Sequence, residues 1–306
     1  MTLGIATTNT AVSLFNAESG RSKVLHQGFS NYFGITCDHN NILIGVGHMG
    51  TNAGMIPRSE LRQAILVLDD HLNIDHIEEQ PFETLGRSHQ LFFEPKGEHG
   101  RLFWCMSADD AVWVCDYATG KWKSWCPHPH GCKPDKDKNN HHFNSVYVHK
   151  DRVYVIAQNR LAPPEVICSD TDLNPIYILD GFGNSSHNFW IEDGMDMICS
   201  SADSCIIDHE GKIYYQADEE YYVRGYSFDG TTRVVGVSYR GPREKREGET
   251  VQNVDANIHI LDKDWNFQRS INLPSRFGQV MDVRLLSHRD VAHNGMIPPV
   301  SVEVQV

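Results

Sequence analysis

The chain of 306 residues has no run of eighteen apolar residues, which excludes a membrane-spanning helix. Its first residues, from Met1 to Thr8, lack the basic and apolar regions of a secretory signal, so the expected location is the cytoplasm. Positive charge is scarce: 27 Lys and Arg stand against 40 Asp and Glu, a formal net charge of -13. Without a basic face the chain is not expected to bind nucleic acid or an anionic membrane. There is no Walker loop, no Rossmann glycine fingerprint and no GxSxG elbow. No long amphipathic helix pattern is present, and Pro and Gly fall between the apolar runs. Of the eight cysteines most lie in strand-like runs, as Cys105 and Cys115 do, and all are expected to be reduced.

What is present is a repeat. A run of β-formers ends in Asp or Asn and is followed by a turn. It occurs at Val12–Asn16, Ile65–Asp69, Val112–Asp116, Val166–Asp170, Cys205–Asp208 and Ile258–Asp262. The spacing, roughly 40–55 residues, is that of propeller blades. The second copy with a full layout offers strands at His89–Glu94, Arg101–Met106, Ala111–Asp116 and Lys121–Trp125. Four short antiparallel strands per repeat make a blade. The first repeat lacks an inner strand, and Gln279–Leu285 offers one from the other end of the chain. The predicted fold is therefore an all-β, six-bladed β-propeller spanning residues 1–306 as one domain, closed by pairing of the N- and C-terminal strands. The alternatives are a ring of five or seven blades, or two sandwich domains.

Aligning the six inner strands places Asn31, His89, His142, His187, Arg224 and Gln279 at their first positions. Two residues on come Phe33, Leu91, Asn144, Phe189, Tyr226 and Met281, a mainly apolar set. A polar mouth above a packed ring is the expected result. Three imidazoles converging there, His89, His142 and His187, with Gln279 beside them, form a candidate site for a divalent ion: Mn, Fe, Zn or Cu. Such an ion would polarise a substrate or supply a bound hydroxide. The plainer reading is that channel histidines bond only to water and neighbouring strands.

Loops between second and third strands emerge on the same face. They supply His48, Asp109, Asp203, Arg240 and Glu244 as candidate catalytic groups. Asn31, Asn159, Arg224 and Arg243 are candidates for substrate binding, the arginines as bidentate partners of a carboxylate or phosphate. Two of these loops, about residues 47–62 and 239–255, are long enough to act as lids. A second cluster, Cys126-Pro127-His128-Pro129-His130-Gly131-Cys132, joins the second and third blades. It carries zinc-ligand residue types without finger spacing, so a polar loop is the competing reading. Trp104, Trp113, Trp122, Trp125 and Trp190 recur where blades would pack, which marks them as core.

The run from Val237-Ser238 to Pro242-Arg243-Glu244, then Asn257–Asp262 and Gly278–Val283, resembles a family of uncharacterised bacterial propeller-type proteins. His142-Phe143-Asn144-Ser145-Val146 with Tyr154–Ala157 resembles the same family. That resemblance implies the fold and no reaction. A looser similarity is to the oligogalacturonate lyases, propellers that bind a divalent metal, typically manganese, through histidines and a glutamine. It implies that His89, His142, His187 and Gln279 hold a metal, with Arg224 or Arg240 near a uronate. The sequence thus points to a metal-dependent enzyme for a small, polar, anionic substrate, its reaction open among lyase, hydrolase, isomerase and oxygenase. One rival is a non-catalytic module that binds a glycan, peptide or protein. Another is a metal-free lactonase- or cyclase-like enzyme using His48, Asp203 or Glu244. The oligomeric state is left open.

Overall fold

The repeat folds into six four-stranded antiparallel sheets set around an axis, a six-bladed β-propeller, in the computed structural model of the chain. The structure describes residues 2–29, 31–47, 63–81, 84, 88–96, 99–132, 141–159, 162–240, 254–287 and 290. The chain opens with β1 (Leu3–Thr8), β2 (Ala11–Asn16) and β3 (Ser22–Gln27). Blade 1 is then β4 (Tyr32–Cys37), β5 (Ile42–Gly47), β6 (Gln63–Leu68) and β7 (Ile74–Glu79). Blade 2 is β8 (Ser88–Lys96), β9 (His99–Met106), β10 (Ala111–Asp116) and β11 (Lys121–Trp125), close to the strands expected from sequence. Blade 3 runs from β12 (Phe143–His149) through β13 (Arg152–Ala157) and β14 (Glu165–Asp170) to β15 (Pro175–Asp180). Blade 4 comprises β16 (Ser186–Glu192), β17 (Met195–Ser200), β18 (Cys205–Asp208) and β19 (Ile213–Gln216). Blade 5 comprises β20 (Tyr221–Phe228), β21 (Thr232–Tyr239), β22 (Ala256–Asp262) and β23 (Phe267–Leu273). The last strand, β24 (Val280–Leu285), pairs antiparallel with β1 and completes blade 6 from both ends of the chain. β24 also packs against β20 and β4, so the circle closes. Five- and seven-bladed rings and a pair of sandwiches are thereby ruled out. Among the described residues no helix is long and apolar enough to cross a membrane.

The repeated Asn or Asp has a local cause. It ends the third strand of each blade, and its carboxyl or amide oxygen accepts backbone N–H groups of the following turn. Asn16 takes those of Glu18 and Ser19, Asp69 those of His71 and Asn73, and Asp208 those of Glu210 and Lys212. Asp116, Asp170 and Asp262 do the same for Thr119, Asn174 and the pair Asp264 and Asn266. The side chain mimics a backbone turn and fixes where the third strand stops and the fourth begins.

Burial runs outward from the axis. The first three strands of blade 1 are almost wholly buried, while β7, sequence IDHIEE, is exposed throughout. Aromatic side chains bridge successive blades. Phe92 meets Tyr147 edge-on, Tyr147 meets Phe189, and Trp190 stacks on Tyr226 at 4.2 Å between ring centroids. Of the five recurrent tryptophans, Trp104, Trp125 and Trp190 are buried, while Trp113 and Trp122 are half-buried against the core. Burying one such ring is worth several kcal/mol, roughly 25 cal/mol per Å² of apolar surface, before entropy is charged against it. One cysteine expectation changes: Cys126 and Cys132 are joined as a disulfide, while the other six cysteines are free and buried.

Candidate active site

All six inner strands break register at the same level, and these breaks build the mouth. The irregularity lies between Tyr32 and Ile35 in β4, between Ser88 and Leu91 in β8, and between Phe143 and Ser145 in β12. It lies between His187 and Phe189 in β16, between Val223 and Tyr226 in β20, and at Met281 in β24, opposite Thr7 and Thr8. A bulge inserts an unpaired residue and re-aims its side chain. Here the re-aimed positions are Phe33 and Gly34, His89 and Gln90, Asn144, Asn188, Arg224 and Gly225, and Met281.

Half of these residues tie each blade to the next. The Gln90 amide oxygen accepts the N–H of Val146 at 3.2 Å and the hydroxyl of Ser145. Asn144 donates to the carbonyl of Ser186 at 2.8 Å, and Asn188 accepts the N–H of Gly225 at 2.8 Å. The Asp282 carboxyl closes the belt. It accepts N–H groups from Ile35 at 3.1 Å and Val283 at 3.0 Å, and the Asn188 amide at 3.3 Å. Two links need no side chain at all. A Cβ on Gly34 would sit 2.5 Å from the nitrogen of Leu91, and one on Gly225 would sit 2.6 Å from that of Val283.

Inside the belt is a small cavity of about 20 Å³, lined by His89, His187, Arg224, Phe33 and Met281 together with the belt residues. A polar cavity of that size has room for about one water, so a larger molecule would sit at its open mouth with only its reacting group reaching in. His187 is held from both nitrogens. Its Nδ1 donates to the carbonyl of Ser185 at 2.8 Å and lies 2.9 Å from the hydroxyl of Ser201. Its Nε2 therefore carries the lone pair, and Arg224 donates into it at 2.7 Å. Burial, the Arg224 charge and His142 hold this imidazole well below its usual pKa, so it is neutral. Asp282 moves the other way: burial raises its carboxyl to about 7 against the pull of its N–H donors. The His142 ring contacts that of His89, with centroids 5.0 Å apart, and His187 lies 6.3 Å from His89.

The structure brings together His89, His142, His187 and Arg224. Among the described residues it does not bring in the other candidates. Phe143, not His142, takes the place of His187, paired in register just before the bulge, while His89 lies inside the bulge of its strand; His142 comes one residue earlier, at a positive φ of 50°, and touches His89. Asn31 and Gln279 precede the bulges of their strands by two residues and lie outside the lining. Asn31 accepts from Asn9, and Gln279 bonds to Asn9 by its N–H and approaches the Tyr239 carbonyl with its amide. Asp109 accepts from Thr84 and Trp113. Asp203 accepts from Ser200 and Asn184, and Arg240 donates to Ala202 and lies over Tyr222. Asn159 belongs to the joint of blades 2 and 3, near His141 and Pro163. His48, Arg243 and Glu244 lie outside the described residues.

These contacts test the four-ligand metal set. His187 has given its lone pair to a guanidinium, whose fixed positive charge repels a cation at that point. Gln279 faces elsewhere. The set as placed does not fit a metal ion. The residue missed from sequence is Asp282. The available signal was a polar residue within each of four otherwise largely apolar inner strands: Gln90, Asn144, Asn188 and Asp282.

No protein-family model matches the chain, and no curated protein matches it in sequence. Its structure is similar to a protein of unknown function from Bacteroides caccae, with a TM-score of 0.58 at 9% identity over 93% of this chain and 98% of that one. It is similar to a gluconolactonase candidate, with a TM-score of 0.56 at 11% identity over 84% of this chain and 82% of the other. TolB from Acinetobacter baumannii gives a TM-score of 0.56 at 14% identity, over 93% of this chain and 66% of TolB. At these identities the likeness defines the class, six-bladed propellers, and carries the fold alone.

Proposed function

We propose that the chain is a metal-independent enzyme that acts on a small lactone or similar cyclic ester at the mouth of the axial cavity, giving an anionic hydroxy acid. The observation that carries this reading is the Arg224–His187 contact beside a carboxyl of raised pKa in one small cavity. Arg224 is the only cationic group lining that cavity among the described residues. It would bind the oxyanion as it forms and then the product carboxylate. His187, acting from behind, fixes the guanidinium. Asp282, its carboxyl raised to about 7 by burial, would accept a proton from the attacking water. One similar structure being a gluconolactonase candidate favours the same reaction class.

A pH-indicator assay over a panel of sugar lactones, with and without chelator, tests this. Turnover that survives chelation and falls at least about 100-fold in Arg224→Ala supports it, the scale expected for losing one oxyanion donor. Turnover that disappears on chelation and returns with one divalent ion would restore the metal-dependent reading. Absence of turnover with saturable binding of an oligosaccharide or peptide at the mouth would favour a non-catalytic module.

A further inference from the structure

Away from the axis, at the joint of blades 2 and 3, four features converge. Asp110 is buried, and its Oδ1 accepts the N–H groups of His141 at 2.9 Å and His142 at 3.1 Å. Its other oxygen, Oδ2, is buried without a hydrogen-bond partner. An orphaned carboxylate oxygen is costly unless something cationic meets it. His141 is set for that. Its Nδ1 lies 3.3 Å from the amide oxygen of Asn159 and so carries the proton, leaving the Nε2 lone pair available. Its ring is clamped between His128, stacked at 4.1 Å, and Phe143, stacked at 5.5 Å. The third member is the sulfur of Cys132. One ligand atom each of Asp110, Cys132 and His141 lie within 4.8 Å of one another. In the structure that sulfur is bonded to Cys126 and has no thiolate to offer.

We infer that this joint is a redox-gated site for a divalent ion of zinc type, held by Asp110, His141 and the Cys132 thiolate once the Cys126–Cys132 disulfide is reduced. An external dithiol supplies two electrons and two protons. The S–S bond breaks, two thiols form, and the reductant leaves as its own disulfide. The Cys132 thiol releases its proton to solvent as the sulfur–metal bond forms. Carboxylate, imidazole and thiolate together suit zinc, and three protein ligands leave a tetrahedral position for water. The sequence cluster pointed to metal chemistry within residues 126–132. The fold keeps one member, Cys132, and replaces the rest by Asp110 and His141. His128 is spent on stacking and on Glu165, 3.5 Å away. Because Asp110 holds the backbone of His142, whose ring touches His89, filling the site also steadies one wall of the axial cavity.

Cobalt(II) alone is the probe, added to the full chain, with stoichiometry read by elemental analysis and ligation by absorption. Reduced protein should bind one equivalent with a thiolate-to-metal charge-transfer band, and oxidised protein should show neither. Cys126→Ser leaves Cys132 unpaired and should bind with the band even without reductant. Cys132→Ser should lack the band in either state, and Asp110→Asn should weaken binding by about tenfold or more. An ion taken up at the axial histidines would give no sulfur band, so the two sites are told apart. Equal binding before and after reduction, an unchanged band in Cys132→Ser, or no band in both reduced protein and Cys126→Ser would overturn the inference.

Discussion

Arg224 of blade 5 donates an N–H to Nε2 of His187 in blade 4, at 2.7 Å, so a permanent cation and a neutral imidazole share the wall of the axial cavity. The contact gives the cavity an anion-attracting face and takes away one lone pair that a metal would need.

Replacing Arg224 by Gln should raise the His187 pKa toward its ordinary value, because the nearby charge is one of the causes that depress it. In the native chain His187 is neutral when folded, so its contribution to stability is full above the unfolded value, about 6.5. It is lost as pH falls below that, since the unfolded state then binds the extra proton. Titration of the His187 ring signals by NMR, in both proteins, measures the shift. A His187 that titrates identically in the two would contradict it.

Asp282 has the opposite sign. Its folded pKa, about 7, lies above its unfolded value. The folded state therefore holds the proton more tightly. Stability from this group is fully present below about pH 4 and is lost as pH rises through 7. Asp282→Asn should flatten that slope in denaturant melts between pH 4 and 8. It should also cost about 1–3 kcal/mol, because an amide N–H would face the N–H of Ile35 or Val283. In a lactone assay the inflection near pH 7 should vanish.

The two glycines of the belt should be intolerant of a methyl group. Gly34→Ala and Gly225→Ala press a Cβ against the backbone of the next blade, where flexible side chains cannot yield. Each should lose about 1–3 kcal/mol or more on denaturation. Gly225 adds the strain of its φ of 83°. Gly120→Ala is the comparison: its φ of 64° is positive, but nothing lies within 4 Å of the added carbon. It should lose only about 1–2 kcal/mol.

Between blades 4 and 5, Glu192 pairs with Arg233 in the interior and also accepts from Tyr226 and Trp190. Arg233 in turn lies over Phe228 and Trp265, 3.7 and 4.0 Å from the ring centroids. Glu192→Leu alone leaves the guanidinium buried without its counter-ion and should cost about 3–5 kcal/mol. Glu192→Leu with Arg233→Met should recover most of that loss. A double variant no better than the single would show that the hydrogen bonds, not the charge, carry the stability.

Much of the ring was legible because its signals are local. Asn16, Asp69, Asp116, Asp170, Asp208 and Asp262 each end a strand through bonds to the next two to four residues, so they recur at readable intervals. Alternation within strands and the spare strand at residues 280–285 did the rest. The site was legible in part. His89, His187 and Arg224 stand at bulges and line the cavity. Asn31 and Gln279 failed because they stand two residues ahead of the bulges that re-aim Phe33 and Met281, and a bulge leaves no mark in a single strand's sequence. The disulfide was missed for a related reason, since composition alone gave no sign that Cys126 and Cys132 turn toward each other.

The sequence by itself determined the blade: its strand lengths, its turns, its buried faces and the closure of the ring by both chain ends. These rest on contacts between residues close in the chain, or on one strand with an unmatched partner. Only the tertiary structure decided what meets at the axis. Six bulges from distant segments set which side chains point inward; burial there keeps His187 neutral and lifts Asp282, and Arg224 is committed to His187. The charges and lone pairs available for chemistry depend on neighbours as far as 247 residues away, as Ile35 and Asp282 are, and no local pattern records them.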